Sequence, residues 1–150
     1  MTRVIDDVDQ GLVLQQQIVA FIRGFGLHRP DHTACGQPVS VSEAHALMEL
    51  AEHPSMRPGD LAAGLRLDKS TVSRLVRQLE NRSWITRAAD DSDGRAVRLR
   101  LTEAGRSAAE KLARARADKF RRLIEALPEE RRDQVIDGIK TLVEVLDADR

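Results

Sequence analysis

A chain of 150 residues has room for one domain, and its 41% hydrophobic and 32% charged residues exclude a disordered polymer. Lys+Arg and Asp+Glu are both 24, so the net charge is zero and a polybasic protein is excluded, while a local basic face is not. One cysteine excludes an internal disulfide or a four-thiolate metal centre built by this chain alone, and the lack of Tyr beside one Trp and three Phe disfavours a single-strand binder that stacks bases on aromatic rings.

Residues 4–26 place Val4, Val8, Leu12, Val19, Ile22 and Phe25 close to helical spacing. Two Pro and two Gly between residues 26 and 38 read as a loop. Ser40-Val41-Ser42-Glu43 has the form of a capping box and opens a helix through Ala44, Leu47, Met48 and Ala51, which Pro54 ends. Pro58 suits the first turn of a short helix with Leu61, Ala62 and Leu65. Asp68 caps the next, predicted over 69–82. The period then changes. Trp84-Ile85-Thr86 is strand-prone, Asp90 to Gly94 is a turn, and Val97, Leu99 and Leu101 alternate with Arg98 and Arg100, so a hairpin is predicted with Arg95 just past its tip. Thr102 caps a long helix over 103–126, and Pro128 starts a last one with Val135, Ile139, Leu142 and Leu146 on one face.

Charge is unevenly spread along this order. Residues 1–54 hold 3 basic and 7 acidic side chains (−4), residues 55–106 hold 11 and 7 (+4), and residues 107–150 hold 10 of each. In the helix over 69–82, Val72, Leu75, Val76 and Leu79 form one apolar stripe. Ser70, Ser73, Arg74 and Arg77 occupy the same offsets on the opposite face, without a carboxylate among them. Small hydroxyls approach phosphates and base edges closely, and Arg bonds guanine edges bidentately, so this face suits a major groove. With the short helix before it and the turn Arg66-Leu67-Asp68, it reads as a helix–turn–helix.

The run LDKSTVSRLVRQLENRSWITR followed by DDSDGRAVRLRLTEAG resembles the winged helix–turn–helix of the MarR family of bacterial transcriptional regulators, closely over residues 57–106 and in helix order elsewhere. The resemblance implies a mainly α fold with a small β-hairpin wing. A winged helix–turn–helix over 40–106 would carry the DNA contacts, with helical dimerisation regions over 1–27 and 107–150. It further implies a homodimer on palindromic duplex DNA, often a repressor released by a small ligand or by thiol oxidation. On this reading Lys69, Ser70, Thr71, Ser73, Arg74 and Arg77 meet DNA from the recognition helix, and Asp93 and Arg95 form the family's Asp-x-Arg wing motif, its Arg in the minor groove. Val8, Leu12, Val135, Ile139, Leu142 and Leu146 are the expected dimer contacts, because amphipathic helices outside the winged unit need a partner. Ser83 departs from the Gly that the family commonly places there.

Other readings concern chemistry and sensing. Gly59 and Gly64 open a phosphate-loop pattern that Leu65 breaks where Lys is required, and no hydrolase, zinc-protease or dinucleotide motif occurs, so no enzyme is expected. His28, His32 and Cys35 lie close together, with His45 and His53 beyond, but Pro30 interrupts any helical ligand face. A metal- or thiol-responsive sensor, and a protein-interaction winged helix that never touches DNA, are the alternatives. No cofactor or metal is expected. Phe21, Phe25 and His45 are the candidate lining of an effector cleft. With no apolar run longer than residues 18–22 and no signal-peptide pattern, the expected location is the cytoplasm.

Overall fold

The computed structural model describes residues 2–149, with side chains from Asp9 onward. Six α-helices and a hairpin follow one another: α1 (Thr2–Phe25), α2 (Val41–Glu52), α3 (Pro58–Leu65), α4 (Lys69–Asn81), β1 (Ile85–Ala89), β2 (Val97–Leu101), α5 (Glu103–Ala126) and α6 (Arg132–Ala148). This is the mainly α, winged helix–turn–helix order expected from the sequence. Described residues up to Ala113 form one compact unit and those from Arg114 a second, the division falling within α5. Among the described residues no helix is long and apolar enough to cross a membrane.

The core of the first unit gathers one face of each short element. The α4 stripe of Val72, Leu75, Val76 and Leu79 is buried throughout, together with Ala44, Leu47 and Leu50 of α2, Leu61 of α3, Ile85 and Leu99 of the hairpin, and Ala109 and Leu112 of α5. Each of the fully buried leucines contributes roughly 1.5–3 kcal/mol of transfer free energy. Caps set the helix starts. The Ser40 hydroxyl accepts the Glu43 amide (3.1 Å), the Asp68 carboxylate accepts the Thr71 amide (2.7 Å), and the Thr102 hydroxyl accepts the Gly105 amide (3.0 Å).

Strands β1 and β2 pair antiparallel in the register Ile85↔Leu101, Arg87↔Leu99 and Ala89↔Val97. Met56, just before α3, exchanges two backbone hydrogen bonds with Leu99 (3.2 and 2.7 Å), so the hairpin is sewn to the helices by its second strand. At its exit the chain turns tightly. Ser83 is in the left-handed region (φ 61°), its carbonyl accepts the Thr102 hydroxyl (2.7 Å), and the Trp84 carbonyl accepts the Thr102 amide (2.9 Å). A Cβ at Gly105 would overlap that Trp84 carbonyl, which is the steric reason for the glycine in Leu-Thr-x-x-Gly.

Several sequence expectations need correction. Helix α4 ends at Asn81 with Arg82 as its C-cap, one residue earlier than predicted. Strand β1 begins at Ile85, leaving Trp84 in the turn. Pro128 opens a short 3-10 turn (Glu129–Arg131), and α6 starts only at Arg132. The buried Glu43 carboxylate lies 3.0 Å from Arg82 Nε, close enough for charge pairing though not aligned as a hydrogen bond, a partner that the local Ser40–Glu43 pattern does not reveal.

Candidate nucleic-acid interface

Burying the apolar stripe of α4 forces its other side outward. Lys69, Ser70, Ser73, Arg74 and Arg77 are all exposed. Glu80, the only carboxylate of α4, is held by Arg87 of β1 through two hydrogen bonds (2.6 and 3.0 Å). The outward face is therefore cationic without an opposing charge of its own. Thr71 differs from its neighbours, being half-buried with its hydroxyl donating to Asp68 (2.8 Å). The Ser70 hydroxyl donates to the same carboxylate (2.6 Å). These hydroxyl bonds and the Thr71 amide hold the Asp68 carboxyl well below the usual carboxylate range.

The wing is organised by two aspartates with different reach. Asp93 accepts the Arg95 backbone amide (3.1 Å), which shapes the tip locally and leaves the Arg95 side chain exposed. Asp90 is buried, at 7% exposure, and its carboxylate accepts from Ser92, Arg57 and Arg98. The Ser92 amide and hydroxyl, then Arg57, hold it well below the usual carboxylate range. Within the turn predicted over Asp90 to Gly94, Asp90 thus faces inward. Sequence reading missed this group because its partner Arg57 lies 33 positions away, beyond any local motif.

Behind α4, Arg82 links three elements. Its guanidinium lies over the Trp84 ring, 4.8 Å from the centroid, while its Nε faces Glu43 of α2. The C-terminal end of α4 is thereby tied to the start of α2.

The remaining expected site residues are spread elsewhere. Phe21 and Phe25 stack on one another with centroids 5.2 Å apart, and His45 is exposed on α2. None of the three lines either of two concavities in the first unit. One, of about 640 Å³, lies among Met48, Pro54, Arg100, Arg106, Glu110 and Ala113. The other, of about 290 Å³, lies among Val39, Arg82, Trp84, Ser107 and Lys111. His32 sits 3.1 Å from Asp31, and Cys35 is half-buried in the loop after α1. Among the described residues no three metal-ligating side chains come together. Of the expected dimer contacts, Leu12, Val135, Ile139 and Leu146 are exposed and Leu142 is half-buried. The Val8 side chain lies outside the described residues.

The family model described as "MarR family" matches residues 39–97, from the residue before the α2 cap to the first residue of β2. Over that stretch the chain is similar to the MarR family. Its relatives include the transcriptional repressor MprA of Escherichia coli K12, 29% identical over 100 residues that make up 67% of this chain and 57% of MprA. The match thus spans little more than half of that repressor. A similar fold is found in Streptococcus pneumoniae FabT, solved in complex with DNA, with a TM-score of 0.70, 20% identity and full coverage of both chains. It also occurs in Bordetella bronchiseptica BpsR, whose DNA binding is regulated by 6-hydroxynicotinic acid, with a TM-score of 0.68, 18% identity and coverage of 89% and 91%. The matched residues contain the whole helix–turn–helix and Asp-x-Arg, while the Leu-Thr-x-x-Gly exit lies just beyond them.

Proposed function

We propose that this protein is a sequence-specific duplex-DNA-binding transcriptional regulator, working as a homodimer in the cytoplasm and acting by binding rather than by catalysis. The observation that carries this reading is the exposed α4 face, where Lys69, Ser73, Arg74 and Arg77 stand beside Ser70, with Glu80 paired to Arg87 and Asp68 engaged in capping the helix. The exposed Arg95 on a narrow hairpin adds a second contact, shaped for a minor groove. Exposed apolar side chains on α1 (Leu12, Ile18, Phe21) and on α6 (Val135, Ile139, Leu146) support assembly with a second copy, which would pair two such faces on a palindrome.

Repression relieved by a small ligand is part of the same proposal. It draws support from the repressor MprA and from BpsR, whose DNA binding responds to a small acid. The concavity of about 640 Å³ has the volume of an ordinary small-molecule site and an apolar floor of Met48, Leu101 and Ala109. It is a better walled place for an effector than the stacked Phe21–Phe25 pair with His45. Selection from a randomised duplex pool tests the central reading. The expected result is an enriched palindrome whose half-sites are centred about one helical turn apart. A pool that shows no enrichment would overturn it in favour of the protein-interaction module.

A further inference from the structure

We propose that Asp90 is the positioning residue for Arg95, because it fastens the wing to the start of α3 and so fixes where the hairpin tip meets DNA. The inference rests on the DNA-binding reading above. Asp90 Oδ2 accepts from Arg57 Nη2 (2.9 Å) and Nε (3.3 Å) and from Arg98 Nε (3.0 Å). Its Oδ1 accepts the Ser92 amide (3.1 Å) and the Ser92 hydroxyl (2.9 Å). Its own amide donates to the Ala96 carbonyl (2.9 Å), closing the loop that presents Arg95. Arg98 extends the contact with a bond from Nη1 to the Ser55 carbonyl (3.2 Å).

One buried carboxylate thus joins the wing turn, strand β2 and the N-cap residue of α3. Met56 and the buried Ile85 and Leu99 hold the base of the hairpin, but a two-stranded turn beyond that base is marginal by itself in water, so an unfastened tip would sample many orientations. Ordering those orientations on binding opposes affinity, and a clamp made before binding removes that cost. Charge-assisted bonds, about twice as strong as neutral ones, suit this task. Asp93 acts differently: its bond to the Arg95 amide sets the shape of the tip without fixing the tip relative to α4. Arg57 caps α3, and α3 packs on α4, so the clamp places both DNA-facing elements in one frame.

A double-mutant cycle separates positioning from mere stability. Asp90→Asn, Arg95→Ala and the double variant are titrated by anisotropy against the selected duplex, with Trp84 emission and thermal melting as checks of folding. In the wild-type background Asp90→Asn is expected to weaken binding about tenfold and to flatten preference for A·T-rich flanks, leaving half-site bases unchanged. In the Arg95→Ala background the same change is expected to cost less than about twofold. Equal losses in both backgrounds would overturn the proposal, as would altered half-site preference. If Asp90→Asn fails to fold, Arg57→Gln carries the same cycle, since the Ser92 and Arg98 contacts stay in place. A loss of about threefold that disappears without Arg95 supports positioning, and a loss that persists overturns it. A wild-type protein that selects no duplex sinks the DNA-binding reading and this proposal with it. Tight wild-type binding with an unaffected Asp90→Asn variant sinks this proposal alone.

Discussion

Two residues in the left-handed region bracket the recognition helix: Arg66 (φ 57°) before it and Ser83 (φ 61°) after it. For a residue with a Cβ this conformation costs roughly 1–2 kcal/mol. Ser83 is exposed and its carbonyl, not its side chain, holds Thr102, so Ser83→Gly keeps the contact and removes the strain. The expected gain is about 0.5–1 kcal/mol after allowing for glycine's larger unfolded entropy, read as a rise of roughly 1–4 °C in melting temperature. That departure was visible in the sequence as a Ser where relatives commonly have Gly, although its sign of φ was not. On the proposed reading the arginines divide the recognition task. Arg74→Ala is expected to cost about 1–3 kcal/mol and relax preference at a defined base of each half-site, as measured by selection with each variant. Arg95→Ala is expected to weaken binding while flattening A·T-rich flank preference, because minor-groove readout follows width rather than base identity. A loss of half-site bases in Arg95→Ala would show that the wing does not enter the minor groove.

Helix starts were legible in sequence because caps are local: Ser40, Asp68 and Thr102 each act within three residues. The stripe of α4 was legible for the same reason, since helical period alone decides which side is buried. The pairs Asp90–Arg57 and Glu43–Arg82, each a buried carboxylate with an exposed arginine, were not, because each joins elements that only tertiary folding brings together. For the wing, this clamp sets a pH response. A carboxylate whose folded pKa is depressed adds stability fully above its unfolded value of about 3.9 and loses it as pH falls through the folded value. The melting-temperature difference between wild type and Asp90→Asn is therefore expected to stay constant from neutral pH down to about 5 and to shrink below about 4. Helix α6 makes a different kind of test. Ile139 is 53% exposed and Leu142 half-buried, so Asp at 139 should be tolerated by a lone chain and Asp at 142 at a modest cost. In a dimer the same charges would enter an apolar seam at several kcal/mol, so sedimentation should report monomers with much weaker DNA binding. A dimer that survives both substitutions would place the interface elsewhere.

A molecule with zero net charge is still expected to bind DNA with strong salt dependence. The residues that build α3, α4 and the wing carry the +4 segment, and charges beyond about 8–10 Å are screened at physiological ionic strength. With roughly 6–8 phosphates neutralised by a dimer, log K should fall against log salt with a slope of about −5 to −7. A slope near zero in a titration series would contradict this electrostatic footprint. The cap of α4 works against that attraction at one point. Asp68 keeps its charge throughout the working pH range, and it already occupies the amide of Thr71 and the hydroxyls of Ser70 and Thr71. A phosphate therefore finds the N-terminus of the recognition helix closed, where a neutral cap would leave an anion site open. Every random stretch of duplex offers phosphates, whereas base edges in the right order are rare. On the proposed DNA-binding reading, the fixed carboxylate is therefore expected to shorten each visit to a wrong sequence and so to speed the search for the right one.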